Sequence, residues 1–591
     1  MSDPRTIFEW IDQSQFPQLS STDNAPVFIQ AFTADKGPEE MLLVDQALFN
    51  SYYGGDISFA KHGQPLLQAA RIVNSGGRVL AKRLVASDSE LANIVISLEV
   101  SAPGLEGKTK IGVTASTIAS ATDVSAVEIA MNSLLNTTGN GGDSSDKFVY
   151  PLFAITDNGR GVSEKRIRIS PNYDLTARKK FVVYTIDILE KGEVLESFDF
   201  TLVPGVIDGG ASFNIDSVIN SNSLQTKAVF SEIGVTSMYE KLATATGRTV
   251  SDIQGGVDVL FAKTRDGKKG ASTLVEKLEL EEDSTNTSAV NGLQLQSGTN
   301  GAFGNAPIAA VEQYKTAAVK FFSGSDTDEI YDLVNHQVWA IIDANYPAEV
   351  KRAIEGLVTF REDCMFFRDL GLGATTIEGM KTLQAQGVQN KFCTTYHLSY
   401  SVVDPYSMKR IPVTVGYSLA SLLVTHFING VSRPLAGQLY GFVLNDAIEG
   451  TVNFIPRVTP SVNQREELGK LNINYASYYG KKLVLETQFT SSPETSQFSY
   501  TSNILAIQEV MRDIRQRCPI IRYSYMDGAS LEEYKEDVQR IINKYTDNFR
   551  EITFEYIEDE VRRLNKQFYA AIKVKFRDYV ESEYFKIYAL R

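Results

Sequence analysis

Two hydrophobic periods alternate along this chain, one near 3.6 residues and one of two, and their order sketches its architecture. After Pro26 an apolar run (Val27, Phe28, Ile29) predicts a strand, and Gly37-Pro38 supplies the turn after it. An aromatic helix carrying Phe49, Tyr52 and Tyr53 stops at Gly54-Gly55. A second, amphipathic helix spans Leu66 to Val73, and a Gly76-Gly77 turn leads into a basic strand with Lys82 and Arg83. From about Leu91 the texture changes: IVISLEVSA and TKIGVTAST alternate or run apolar with β-branched residues and predict strands. KRIRIS, KKFVVYTIDIL and VLESFDFTLVP continue that pattern, with turns at Asn158-Gly159 and Lys191-Gly192. These hairpins predict a sandwich or barrel inserted between the opening unit and the later half of the chain.

The later half switches again. VWAIID (Val338 to Asp343) predicts a buried parallel strand, and Pro347 suits the first turn of a helix whose stripe is Val350, Ile354, Leu357 and Val358. CMFFRD is the next strand, Gly371 and Gly373 turn the chain, and Thr376 to Gln386 is another helix. FCTTYHLSYSVVD and RIPVTVG are further strands before a helix from Ser418 to Ile428. Together they predict an α/β layer with a mostly parallel sheet. Farther on, Ile504, Ile507, Val510, Met511 and Ile514 share one helical face. Ser530 and Glu533 form a capping box before a helix with Tyr534, Val538, Ile541 and Tyr545, and Ile557, Val561, Leu564 and Phe568 mark a third. In IKVKF the period returns to two: Ile572, Val574 and Phe576 face one way, Lys573, Lys575 and Arg577 the other. The ends carry short strand-like segments as well, Thr6-Ile7-Phe8-Glu9-Trp10-Ile11 and Tyr584-Phe585-Lys586-Ile587-Tyr588 with the two residues after it.

Polar stretches punctuate these blocks. Residues 1 to 24 read as an arm, NTTGNGGDSSD (Asn136 to Asp146) as a flexible break, and Glu281 to Asn305 as a mobile loop or linker. At 591 residues the chain exceeds one core, so two to four domains are expected. A formal charge of −14 argues against binding nucleic acid or anionic membrane, which need a basic face. Val413 to Val431 is the longest apolar stretch, but His426, Asn429, two serines and Gly416 interrupt it, so it predicts a buried helix. The start, MSDPRTIFEW, lacks the basic and apolar regions of a signal peptide, and a cytosolic product is expected.

Candidate chemistry is sparse. Cys364, Cys393 and Cys518 are far apart and lack metal-ligand spacing, as do His62, His336, His397 and His426. Gly371-Leu-Gly373 lacks the third glycine of a dinucleotide turn, and Ser323 to Glu329 lacks the ligand order of a calcium loop. Asp343 and Asp363 lie near strand ends, where α/β enzymes keep catalytic groups, yet no motif pairs them with a nucleophile or histidine. Both are expected to be structural. The 27 tyrosines and 31 phenylalanines read as core and interface material.

The order of signals from Ala25 to Ala86 resembles the opening of contractile tail sheath proteins, which form the outer sleeve around a rigid tube. The resemblance extends to KKFVVYTIDILEKGEVLESFDFTLVPG, to VWAIIDANYPAEVKRAIEGLVTFREDCMFFRDLG with Arg361-Glu-Asp363 in place of the family's Arg-x-Asp, and to LNINYASYYGKKLVLETQFTSSPETSQFSYTSNILAIQEVMRDIR. Gln488 stands where an arginine is common in the family. Residues 87 to 150 and 270 to 320 match nothing in it.

The resemblance implies a multidomain α+β fold: a β-sandwich insertion, a subtilisin-like α/β domain without its catalytic triad, and a C-terminal domain lying on the tube. The corresponding divisions are a linking arm (1–24), an opening unit (25–90), an outward-facing β region (91–225), a connecting region (226–330), the α/β domain (331–470), the tube-facing domain (471–583) and a linking strand (584–591). It implies a structural subunit without enzymatic activity, cofactor or metal. Such a subunit assembles in a host cytoplasm as a helical homo-oligomer of stacked hexameric rings, in a virion tail that contracts to deliver a genome. Implied partners are the tail tube protein and the baseplate and tail terminator proteins, with no nucleic acid and no membrane insertion. A baseplate or other injection-machine component with a sheath-like fold is the alternative. The strands exchanged between subunits would be Thr6 to Ile11 and Tyr584 to Tyr588, received beside Ile572, Val574 and Phe576, whose apolar face is expected against the helix from Ile557 to Phe568.

Overall fold

The computed structural model describes residues 25–101, 110–135, 147–255, 292–304, 312–444 (apart from 334, 375, 431, 432, 438 and 440), 461–518 (apart from 480, 481 and 495), 529–557, 560–561 and 570–577. The opening unit contributes strands β1 (Val27–Phe32), β2 (Leu42–Val44) and β3 (Arg78–Arg83) with helices α1 (Gln46–Tyr53) and α2 (Phe59–Asn74). Asp45 caps α1 by accepting from the Leu48 amide at 2.9 Å. In α2 the backbone breaks at Gly63 (φ +69), so Pro65 falls in the first turn of the helix that resumes after it, where its missing N–H costs little.

The chain then leaves this unit to build a β block. Its strands are β4 (Asn93–Ser101), β5 (Lys110–Ser116), β6 (Lys147–Asp157), β7 (Lys165–Pro171), β8 (Tyr184–Glu190), β9 (Glu193–Phe200), a small exposed hairpin β10 (Ile207–Asp208) and β11 (Ala211–Ser212), then β12 (Thr226–Phe230) and β13 (Leu293–Gln294). Its helices are α3 (Val124–Ser133), α4 (Tyr173–Lys179), α5 (Ile215–Asn222), α6 (Glu232–Thr246) and α7 (Val250–Gly255). Two four-stranded antiparallel sheets result, ordered β12-β6-β4-β5 and β13-β7-β8-β9. Ile94, Ile96 and Leu152 of the first and Ile167, Ile186 and Ile188 of the second share one core with Ile219 of α5 and Met238 of α6. Pro151 lies in the central strand β6 beside the shift of register at Ile96/Ser97, where a residue without an N–H fits.

Three expectations change here. The block runs past residue 225, because β12 pairs along the whole of β6's end, Thr226 with Asp157 through Phe230 with Phe153. Within the stretch expected as a mobile loop, residues 292–304 are paired: Leu293 and Gln294 lie beside Ile167 and Arg166, and Thr299 bridges Glu90. Their polar composition hid a contribution made by backbone, since ladder bonds need no apolar side chain. Finally, the basic start of KKFVVYTIDIL ends α4, with Lys180 in the left-handed region (φ +62), and the strand begins only at Tyr184.

After α8 (Glu312–Phe322) the chain returns to the first sheet. It adds β14 (Ala340–Ile342), α9 (Ala348–Arg361), β15 (Met365–Asp369), α10 (Ile377–Ala385), β16 (Cys393–Tyr396), the hairpin β17 (Ser399–Val403) and β18 (Arg410–Thr414), α11 (Gly416–Ile428), α12 (Val462–Lys470), β19 (Ile473–Asn474) and the hairpin β20 (Ala476–Tyr479) and β21 (Lys482–Leu485). Seven strands form the large sheet in the order β19-β16-β15-β14-β1-β3-β2, parallel except for β2 against β3. Thus β1 lies between β3 and β14, and Phe28 pairs with both Val79 and Ala340. The opening unit and the later α/β segment share one sheet and one core. Strand β19 puts residues 473–474 on this sheet too, although the sequence from 471 onward reads as C-terminal. Gln488 accepts from the Leu435 amide at 2.9 Å.

Helix α13 (Thr501–Arg517) links this core to a smaller one. Leu505 belongs to the large cluster, whereas Val510 packs with Val538 and Ile542 of α14 (Ala529–Lys544) and with Tyr545 just after it. Because α14 already includes Ala529, Ser530 is inside the helix and not its N-cap. The unit ends in an antiparallel pair, β22 (Glu551–Tyr556) and β23 (Ala570–Lys575). Among the described residues no helix is long and apolar enough to cross a membrane.

Candidate functional site

The carboxyl edge of the parallel sheet is where an α/β enzyme would keep its chemistry. Asp343 follows β14 and Asp369 ends β15, and both flank the Lys351 ammonium from α9, at 2.8 and 2.6 Å. The Asp369 amide donates to Asp343 Oδ2 (3.1 Å), the Tyr346 amide to Asp343 Oδ1 (3.0 Å) and the Thr414 hydroxyl to Asp369 Oδ2 (2.6 Å). Behind them Gln64 reaches Thr414 Oγ1, and the side-chain amides of Gln30 and Gln68 both donate to the Ile342 carbonyl. Burial, reinforced by the charge of Asp369, pushes the Asp343 carboxyl up to about 7 against the pull of Lys351. Below about pH 7 Asp343 therefore keeps its proton beside the Lys351 cation. Asp343 and Asp369 are at most 1% exposed. Such a sealed network knits five chain segments together, around residues 30, 64–68, 342–351, 369 and 414, and presents no acid or base to a substrate.

Asp363 lies at the opposite edge, just before β15, so the two aspartates singled out in the sequence do not meet. Its carboxylate takes two bonds from Arg361, both 3.0 Å, and its carbonyl accepts from Arg512 of α13 at 2.8 Å. Arg361 also donates to the Ile330 and His336 carbonyls. Arg512 in turn lies 4.3 Å over the Trp339 ring. Arg361 thus fixes Asp363, and Arg512 ties α13 to its carbonyl at the edge of the parallel sheet. Asp369 was not singled out in the sequence, although an aspartate closing an apolar strand was the available signal.

The three cysteines are free and buried, and burial raises the Cys364 and Cys393 thiols. Among the described residues no group of three or more His, Cys, Asp or Glu could hold a metal ion.

The candidate interface is the β22–β23 pair. Residues 551–556 show period two (Ile552, Phe554, Tyr556), a signal that the helical spacing immediately after it obscures in the sequence. The register places Ile552 opposite Val574 and Phe554 opposite Ile572. Phe576 is buried against Phe549, with ring centroids 5.7 Å apart, and Val574 packs at the edge of the same cluster. Ile572 remains 39% exposed. Thus the apolar face rests on α13 and α14. The expected support from Ile557 to Phe568 falls largely outside the described residues. The opposite face is polar, with Glu551 opposite Lys575, Thr553 opposite Lys573, and Lys573 in an ion pair with Glu555. Among the described residues this sheet has two strands, so one edge of each strand has no ladder partner there. Thr6 to Ile11 and Tyr584 to Tyr588 lie outside the described residues.

No protein-family model matches the sequence, and no curated protein matches it. Solved structures do resemble it. A sheath tail protein from Desulfitobacterium hafniense aligns over 91% of this chain and 89% of its own, at 11% identity and a TM-score of 0.42. A chain of the anti-feeding prophage baseplate aligns over 48% of this chain and 73% of its own, at 12% identity and a TM-score of 0.35. A chain of the PVC sheath complex, from an extracellular contractile injection system in its contracted state, covers 43% and 71%, at 11% identity and a TM-score of 0.34.

Proposed function

We propose that this chain is the structural subunit of a contractile tail sheath, which polymerises as a helical sleeve around a tail tube and contracts to drive the tube through a host envelope. The sequence signals from Ala25 to Ala86 and around Arg361–Asp363 suggest the class. The observation that carries the mechanism is the two-stranded β22–β23 sheet, packed on one face and without ladder partners at its outer edges among the described residues. A two-stranded sheet is marginal alone and gains from added strands.

In this reading the seven-stranded sheet is the subtilisin-like layer and the β block is the sandwich-like, outward region. Residues 1–24 and 584–591 are linking arms, and the C-terminal unit faces the tube. Thr6 to Ile11 and Tyr584 to Tyr588 of neighbouring copies extend the sheet beside Ile572, Val574 and Phe576. Ordering an arm costs on the order of 1 kcal/mol or more per residue. Each ladder bond returns about 0.5–1.5 kcal/mol net, and burying an aromatic such as Phe8 or Trp10 adds about 1.5–3 kcal/mol. Arms therefore order on assembly, when a formed sheet receives them, while the polar tether Gln13 to Asn24 absorbs movement.

Deletion of residues 1–20, or of the last eight, tests this. Each truncated chain should remain a folded monomer and fail to build long sleeves in negative-stain images. Long, regular sleeves from either truncation would refute strand exchange. Closed single rings from the full chain would favour the baseplate alternative over a sleeve.

A further inference from the structure

The β block meets the parallel sheet through a junction much tighter than a surface insertion needs. Arg83, at the end of β3, is 2% exposed, and its guanidinium donates to three carbonyls of the loop after β1: Ala34 (3.0 Å), Asp35 (3.2 Å) and Gly37 (2.8 Å). The turn between β6 and β7 presses on the other side of that loop. A Cβ at Gly159 would stand 2.2 Å from the Gly37 carbonyl oxygen. One at Gly161 (φ +132) would stand 2.4 Å from the Asp35 carbonyl oxygen and 2.7 Å from Arg83 Nη2. Only glycines allow this approach.

Charged and polar pairs surround the contact. Arg160 grips Glu39 with Nε (2.9 Å) and Nη2 (2.6 Å) and also with its backbone amide (2.8 Å). Lys36 pairs with Glu190, Asn300 donates to Asp35, and Gln225 donates to Ser51. Where the chain passes into and out of the block, the two segments are zipped together: Glu90 and Thr299 exchange backbone bonds of 3.0 and 3.2 Å, and Asn93 and Gln296 do the same at 2.9 and 3.1 Å.

We propose that this junction is a lock, keyed by Arg83, which makes the β block and the parallel sheet one rigid body. A buried cation shared among carbonyls of a loop fixes that loop in one shape, and the glycine turn fits only that shape. A hinge here would have to expose the guanidinium and break the Glu39–Arg160 fork together. Relative movement between copies of the chain is then taken up elsewhere, and the β block reports the orientation of the core rather than swinging on it. This rests on the junction alone and stands whether or not the chain forms a sheath.

Pulsed dipolar spectroscopy on the full chain tests it, with spin labels at Ile129→Cys in α3 and Phe360→Cys in α9, both exposed positions; the native cysteines are buried. A single narrow distance distribution is expected, with one calorimetric transition for block and sheet. Arg83→Met should broaden the distribution at least twofold and split the transition. If that variant does not fold, Lys36→Gln combined with Glu39→Gln should broaden it in the same sense. A broad or bimodal distribution in the parent chain would overturn the lock, as would an unchanged width in a folded variant.

Discussion

The parallel-sheet core and the C-terminal helix–hairpin unit solve the same problem at different scales. In the core, β1, β14 and β15 are covered on both faces, and even its charges close on themselves around Lys351. The C-terminal unit has one small cluster, built from α13, α14 and one face of β22–β23. Its sheet has two strands among the described residues, and Ile572 on the apolar face is still partly exposed. Both are joined by the same helix, with Gln508 and Arg512 of α13 bonded to the Glu362 and Asp363 carbonyls. A large closed core holds its shape alone. The small unit depends on α13 for its attachment, and its sheet buries one face only, so it contributes far less apolar burial than the core.

The sharpest way to break the contrast is Lys351→Met, which leaves two buried carboxyls without their cation. A cost of about 3–5 kcal/mol is expected from removing one partner of a buried ion pair, read by chemical denaturation of the main transition. Next comes Phe576→Ala, expected to cost about 3–5 kcal/mol, the usual range for a buried phenylalanine. Here the loss should be local: amide exchange should rise in α14 and β22 while the large sheet keeps its protection. Equal loss of protection in both would show that the two units unfold together.

Stability of the core should also depend on pH. The Asp343 carboxyl titrates near 7 in the fold and near 4 when unfolded, so the folded state holds the extra proton between these values. Its contribution is complete below about pH 4 and is lost as the pH rises through about 7. Asp343→Asn should flatten that decline in a urea titration series, whereas the C-terminal unit should not respond. A smaller effect is expected at the Thr376 N-cap of α10, where the hydroxyl accepts from the Gly379 amide at 3.1 Å. Thr376→Ala should cost about 1 kcal/mol. Smallest of all, Lys573→Ala removes an exposed ion pair and should change the stability of the monomer by less than about 0.5 kcal/mol.

Much of the secondary structure was legible, because each element carries its own period. The stripe Val350, Ile354, Leu357, Val358 became α9, CMFFRD became β15, and IKVKF became β23. Where two signals overlapped, one was lost: EITFEY alternates, but it runs straight into a helical spacing that masked it. Asp343 and Asp363 could be picked out by their places beside strands. That they sit at opposite edges, and that Asp369 is the true neighbour of Asp343, depends on strand direction and pairing.

By itself the sequence determined local geometry: where strands and helices form, where glycine and proline turn the chain, and that no motif pairs a nucleophile with a base. These features arise from side-chain periodicity and backbone preference, which act over a few residues. Only the tertiary structure decided that β1 lies between β3 and β14, more than two hundred residues apart in the chain. Only it brought Thr299 beside Glu90, closed the carboxylates on Lys351 and set Gly161 against Arg83. Those contacts join backbone groups and charges that have no period to read, and their partners are chosen by the space and the unpaired edges left when the separate elements pack.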